Sequence, residues 1–369
     1  MGRTFDRAVS TPFMDASPMN NIALNGGMEV SQENGTTLTT LVTATPKYSV
    51  DQFITAFVST GVLKFQQIAP PGAPAFGAGF QSCLQLTATT AFGALGAGEY
   101  GLLTQPIEGY RWAKLGFGSA TNPQYVTIGF WVYATIAGTM TVSLRNSGNT
   151  RAYLANVTIA AAQTWEYKTV TILADTSVTW LMTTGIGATL GFCFGGGSTF
   201  QGTNNAWQAA NVLATSSTTN FFVSLNNVVA ITGVGVWAGT DAPTAARSPL
   251  AKRSFDEELL LCQRYLYRFG PVANGLVSLQ AMAYSTTITL ASLFAPVLMR
   301  AAPTFSRSAD ADWLLYGNGA VPACTSMTTN GTPSVRGANV QVGNTVINLG
   351  AYQITNANTS AWMQLDARL

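Results

Sequence analysis

One segment of the chain carries a helical pattern, and most of the remainder alternates. Between Ser254 and Pro271 the apolar residues Phe255, Leu259, Cys262, Leu266 and Phe269 follow one another in alternating steps of four and three, which lines one helical face. Ser254 and Glu257 have the spacing of a capping box. Asp256, Glu257 and Glu258 sit at the positive end of the helix dipole and Arg264 and Arg268 at the negative end, with Gly270 and Pro271 as the stop signal. The pattern predicts a helix over 254–271, and Leu260, Leu261 and Tyr265 widen its apolar stripe. Such a stripe serves one of two purposes. It docks the helix on its own domain, or it packs against copies of itself at an oligomer axis, because three-four alternation is the coiled-coil pattern.

From Asn21 to about Gly239 the chain predicts strand after strand. Leu38–Thr43, Tyr125–Tyr133, Thr139–Arg145, Tyr167–Leu173 and Val228–Val234 are rich in β-branched and aromatic residues, with turn residues between them. Short strands at this spacing predict an antiparallel sandwich or jelly roll. The Gly/Pro-rich stretches Pro70–Gly79 and Gly195–Asn205 are expected to be surface loops. Residues 240–253, with Pro243, Pro249 and Lys252-Arg253, form an expected linker. After the helix, Thr286–Leu290, Ser334–Arg336 and Thr345–Leu349 are expected strands, with turns at Asn318-Gly319 and Asn330-Gly331. The predicted fold is mainly β. It has an irregular arm over 1–20, an N-terminal jelly-roll or β-sandwich domain over 21–239, one central α-helix and a smaller C-terminal β domain over 272–369.

Composition changes this picture in one respect. Charged residues make up 9% of the 369 residues, against roughly 25% in an ordinary soluble domain. Hydrophobic residues stand at 47%. A surface so poor in charge suits a protein that lives inside an assembly. The net charge of +2 and the scattered Lys and Arg give no field for nucleic acid. No apolar run is long enough for a membrane-spanning helix, and the first residues lack the apolar core of a secretion signal, so a chain made in the cytoplasm is expected. Cys83, Cys193, Cys262 and Cys324 lie far apart and are expected as buried thiols, with no zinc spacing. The chain has no histidine, which removes imidazole catalysis and histidine metal sites.

The remaining candidate chemistry is recognition. Read as a hairpin, residues 126–145 place Phe130, Val132, Val142 and Leu144 on a core face, and Trp131, Tyr133, Thr141, Ser143 and Arg145 on the opposite one. Flat rings beside hydrogen-bonding groups are what a sugar site needs. Trp131, Tyr133 and Arg145 are therefore candidate carbohydrate contacts, although the two rings also suit the core of a two-layer sandwich or a place beneath a loop. Trp207, in the polar stretch 201–219, is a fourth candidate, for contact or for anchoring. No carboxylate pair stands out: Glu99 and Glu108 flank a strand, and Asp310 and Asp312 share a turn. No catalytic residue, metal ligand or cofactor site is expected.

Several stretches together resemble a family of tailed-bacteriophage and prophage virion proteins described as tail fibre or receptor-binding proteins. They are Asn21–Val30, Tyr48–Phe53, Gln105–Gly109, Phe130–Val132, Val142–Asn146, Asn205–Ala209 and, the most specific, Glu257-Glu258-Leu259-Leu260-Leu261-Cys262-Gln263-Arg264-Tyr265. Pro296–Pro303 and the chain end Asp366–Leu369 look similar too. The resemblance covers about residues 20–369. It implies a carbohydrate-binding-module-like jelly roll, a helix and a β-rich tip, in a homotrimeric, non-enzymatic virion protein. On this reading residues 1–20 attach to other virion proteins and the sandwich contacts host-surface polysaccharide. The helix residues Phe255, Leu259, Cys262, Leu266 and Phe269 would then line the trimer axis. The sequence departs from the family at Gly235–Gly239, where an acid-containing strand is usual. An acid there and one near the opening strand often hold calcium in sugar-binding jelly rolls, and Glu29 alone does not imply it. Two other classes compete: a head fibre or capsid decoration with a purely structural role, and a polysaccharide-degrading spike.

Overall fold

The structure, a computed structural model, describes residues 20–270, 278–317, 321–344 and 350–369. The expected arm (save its last residue), the Asn318-Gly319 turn and the strand 345–349 lie outside the described residues. Two compact units divide the chain. The first ends at Glu258 and takes in Leu369, and the second runs from Leu259 to Arg368.

The first unit begins with β1 (Thr39–Thr40), β2 (Lys47–Val50), β3 (Phe53–Val58), β4 (Val62–Ile68), β5 (Cys83–Thr90) and β6 (Tyr100–Glu108). It continues with β7 (Tyr125–Ala134), β8 (Gly138–Arg145), β9 (Ala152–Ile159) and β10 (Glu166–Leu173). β11 (Ile186–Gly196), β12 (Trp207–Gln208) and β13 (Val228–Ala238) complete it. They form two antiparallel sheets, ordered β1-β4-β5-β13-β7-β10 and β12-β9-β8-β11-β6-β3-β2. The inner faces meet in one core, where Phe130 of the first sheet packs edge-to-face on Phe192 of the second, 4.9 Å between ring centres. This is the expected β-sandwich.

Its central strands are buried on both faces. Alternation hides every second residue of β6, β7, β11 and β13 in the core, yet their other residues are mostly buried as well. Each sheet therefore needs a second cover. The stretch 240–253, expected as a linker, holds a 3₁₀ helix (Ala245–Ala251) whose Ser248 accepts the Trp131 indole N–H at 2.8 Å. The loop 70–80 lays Phe76 and Phe80 over the same sheet. In β13 a bulge after Thr232 puts Gly233 at φ +63°, against the Phe80 and Trp131 rings, where no side chain would fit. The stretch Gly235–Ala238 extends this strand, and Gly235 leaves room for the Trp237 ring.

The second unit holds β14 (Leu266–Phe269), β15 (Ser278–Ala283), β16 (Ile288–Phe294), β17 (Thr304–Arg307) and β18 (Trp313–Tyr316). β19 (Cys324–Thr329), β20 (Gly337–Asn344), β21 (Ala351–Asn356) and β22 (Met363–Asp366) follow. One sheet is ordered β14-β22-β17 and the other β18-β21-β15-β16-β20-β19. The outer strands of the larger sheet meet, since the Leu315 N–H donates to the Pro322 carbonyl at 3.3 Å beside a bridge between Leu314 and Ala323. The sheet thus closes into a small barrel, filled by Leu315, Val340, Val342, Tyr352 and Ile354. Met363 and Leu365 of β22 join that core.

Several expected elements shift. The helix spans Phe255–Gln263 rather than 254–271, and the chain from Leu266 pairs as β14 with β22. Tyr265, Tyr267 and Phe269 alternate, and an aromatic-rich run of five residues fits a strand as well as a helix, so pairing decides. Ser334–Arg336 is a turn closed between Ser334 and Gly337, not a strand. Within 38–43 the regular strand is reduced to Thr39–Thr40, and the strand expected at 286–290 starts at Ile288 and runs to Phe294.

Truncating the packed centre tests the core. Phe192→Ala should cost about 3–5 kcal/mol of stability, read as a lowered denaturation midpoint of the first unit.

Candidate functional site

The four carbohydrate candidates do not form one surface, for a topological reason. β7 and β8 are not a hairpin within one sheet. β7 lies in the six-stranded sheet and β8 in the seven-stranded one, so the chain between them crosses the sandwich. Phe130, Val132, Val142 and Leu144 do all point into the core, but from opposite sides. Trp131 and Tyr133 therefore lie on one outer face, and Thr141, Ser143 and Arg145 on the other.

On the six-stranded side Trp131 is 3% exposed. Phe76 packs edge-to-face on Trp131 at 5.0 Å and on Trp165 at 5.4 Å, and Trp165 donates its indole N–H to Pro71 O at 2.8 Å. Tyr133 is half-buried against Trp165. Burial raises the Tyr167 phenol well above the ordinary tyrosine value. This is an apolar cluster under a loop, and Trp131 is not available to a ligand.

On the seven-stranded side the segment 200–218 lies over the sheet. Leu213 and Ala214 pack on Leu102 and Cys193, and the Thr141 and Thr218 hydroxyls meet at 2.6 Å. Arg145, 8% exposed, donates to Asn211 Oδ1 at 3.0 Å, while its Nε has no partner. Burial lowers the pKa of this guanidinium, and the neighbouring Cys193 and Tyr100 act in the opposite sense. Arg145 is thus covered by the chain itself.

Trp207 has a different setting. It pairs through β12 with Tyr153 and stands at the outer end of a series of rings. Phe117 lies 5.9 Å from it, Trp180 5.6 Å and Tyr153 5.2 Å. Its N–H is anchored on Leu173 O at 2.9 Å, and the ring is half-buried. Of the four candidates, Tyr133 and Trp207 keep accessible surface, on different sheets.

The helix residues divide similarly. Phe255 is 49% exposed, Leu259 half-buried and Cys262 buried, while Leu266 and Phe269 belong to β14. The inward position of the first turn is Glu258, an acid that the sequence presents only as a dipole partner. Its carboxylate pairs with Arg253 at 3.2 Å and accepts the Asn25 N–H at 2.6 Å. Arg253 also donates to Ala23 O and Asn21 O. Asn25, in the left-handed conformation, donates its amide to Val30 O at 2.7 Å and Asp51 O at 2.8 Å. Gln105 donates to Leu24 O at 2.6 Å. Four stretches far apart in sequence converge on this cluster. The nearest sequence signal for it is the pairing of a basic Lys252-Arg253 with the acids that follow.

Most of the acids are engaged. Glu29 pairs with Lys252 at 2.6 Å, Asp175 with Arg151 at 2.8 Å and Asp310 with Arg307 at 2.6 Å. Burial opposes ionisation of Asp175, but the hydrogen bonds from Arg151, Ser177 and Trp180 outweigh it and hold the carboxyl below its usual value. Among the described residues, no group of three His, Cys, Asp or Glu could hold a metal ion. None of the described helices is long and apolar enough to cross a membrane.

The chain matches no protein-family model and no curated protein sequence. Solved structures give weak likenesses. The enzymatically active domain of tailspike protein 4 of bacteriophage CBA120 aligns with a TM-score of 0.30 and 14% identity over 60% of this chain, which spans 22% of the tailspike chain. TmCBM61, in complex with β-1,4-galactotriose, gives 0.29 and 11%, over 59% of this chain and 97% of that one. The family 11 carbohydrate-binding module of the Clostridium thermocellum cellulase Lic26A-Cel5E gives 0.26 and 9%, over 57% and 98%. Likenesses this low carry no argument about activity.

Two outcomes follow. Arg253→Met leaves the Glu258 carboxylate buried without its partner and should cost about 3–5 kcal/mol, with part of the loss recovered in the Arg253→Met/Glu258→Leu double variant by chemical denaturation. Burial pushes the Cys83 and Cys193 thiols up to about 12 and the Cys324 thiol up to about 11, and Cys262 is buried too. Near pH 8 the native protein should therefore resist iodoacetamide, and all four cysteines should react in denaturant, counted by mass spectrometry.

Proposed function

We propose that this chain is a non-catalytic structural protein of a tailed-bacteriophage particle, a trimeric tail fibre or receptor-binding fibre whose β units contact host-surface glycans. The observation that carries this reading is the cluster around Asn25. Asn21–Val30, Tyr48–Phe53, Gln105–Gly109 and Glu257–Tyr265 are four of the stretches that resemble the tail fibre family, and the hydrogen bonds of Asn25, Asp51, Gln105 and Glu258 gather them into one place. That the members of this motif set are joined physically in one place supports the reading.

The trimer, the attachment of residues 1–20 to other virion proteins and the location in the virion are parts of this proposal. The low charge content supports life within an assembly. The engagement of the acids in ion pairs supports a role without hydrolysis, since a glycosidase keeps two carboxylates facing a groove. A second reading, a head fibre or capsid decoration without a ligand, is favoured by the covered outer faces of the sandwich.

The purified full chain should have the mass of three copies by light scattering. It should bind polysaccharide extracted from the bacterial host without releasing reducing sugar. A monomer that binds no polysaccharide would favour the decoration reading, and released reducing sugar would overturn the non-catalytic one.

A further inference from the structure

Two large apolar side chains of the second unit stand exposed together on the outside of its barrel. Met282 of β15 is 68% exposed and Phe294 of β16 is 72% exposed. They flank a groove of about 800 Å³, within the range of small-ligand sites. β16 forms its floor, because alternation turns Leu290, Ser292 and Phe294 outward while Ala291 and Leu293 fill the barrel. Gln280, Asn330 and Asn339 supply amides along the same groove. Asn339 Oδ1 accepts from Ser292 Oγ at 3.1 Å, which engages the amide oxygen and leaves its NH₂ as a donor.

We infer that this groove binds a neutral oligosaccharide, a site that deepens the glycan reading above and rests on it. Three features select this occupant. Among the described residues none that lines the groove is charged, so nothing there matches a polyanion, an acidic peptide or an anionic membrane surface. β16 is hydrogen-bonded to β15 on one side and β20 on the other, so its backbone cannot take up a peptide as an added strand. The polar groups lie in a cross-strand row, with Ser292 opposite Asn339, between Phe294 and the Met282–Leu290 pair, so a ligand seated on the apolar side chains meets hydrogen-bonding groups as well. A neutral sugar offers what remains: apolar ring faces for Phe294 and Met282, and hydroxyls that both give and accept hydrogen bonds to amides.

The test is ligand-observed NMR and calorimetry on the intact chain, with maltohexaose, cellohexaose, a β-1,4-galactooligosaccharide and a charged oligogalacturonate. At least one neutral sugar should bind and the charged one should not. Phe294→Ala and Asn339→Ala should each weaken binding about tenfold, with an unchanged unfolding midpoint, while Trp207→Ala leaves affinity unaltered. Neutral-sugar binding that survives Phe294→Ala and is lost in Trp207→Ala would move the site to the sandwich, overturning the groove but keeping the glycan reading. Failure of every probe on the intact chain, together with failure of host polysaccharide, would overturn both. A change in oligomer mass with Phe294→Ala, at unchanged sugar affinity, would overturn the sugar in favour of a second copy of the chain.

Discussion

A β-strand has two faces, and the middle strands of this sandwich bury both of them. Much of the molecule follows from that constraint. Residues that alternate inward fill the core between the sheets, and those that alternate outward lie under loops of the same chain. A strand covered on both sides has no position for a solvated lysine or glutamate. The low proportion of charged residues, which as composition points towards an assembly, is therefore accounted for in part within the fold itself. Several polar atoms on those outer faces find partners in the covering segments, Trp131 in Ser248 and Thr141 in Thr218, whereas Arg145 Nε does not.

The covering layers also explain which parts of the molecule could be read along the sequence. Strands such as β7, β8, β10 and β13 were legible because β-branched and aromatic residues cluster in them. Which sheet each strand joins was not legible. Phe130 and Val132 alternate inward from one sheet, Val142 and Leu144 from the other, and the two arrangements leave the same trace in the sequence. The candidate sugar face built from both strands came apart for that reason. The helix was over-extended because Leu266 and Phe269 continue its stripe, although their backbones pair with Met363–Asp366. Glu258 carries no distinguishing signal in the sequence, because an acid in the first turn of a helix is already accounted for by the helix dipole.

Where charge is kept, it is placed at joints. Arg253 and Glu258 tie the start of the helix to the opening segment Asn21–Asn25, and Arg151 holds Asp175 within reach of the indole N–H of Trp180. In the second unit Arg268 stacks on the Trp362 ring at 4.2 Å while its NH1 donates to Gln364. Arginine suits all three places, because a planar fork can satisfy carbonyls, carboxylates and a ring face together. Barrel closure in the second unit performs a related service without charge, since the meeting of β18 and β19 covers strand edges that would otherwise pair with other chains.

The joint at Asn25 has a consequence in time. The amide it offers is taken by a carboxylate 233 residues further along the chain. During synthesis at ordinary rates, roughly 12 to 47 s pass between the appearance of Asn25 and that of Glu258. Throughout that interval the opening segment has no latch, and for most of it the six-stranded sheet lacks β13 at its centre. The nascent sandwich is thus an unfinished object on the ribosome, and its completion waits on Glu258, the residue at which its own unit ends.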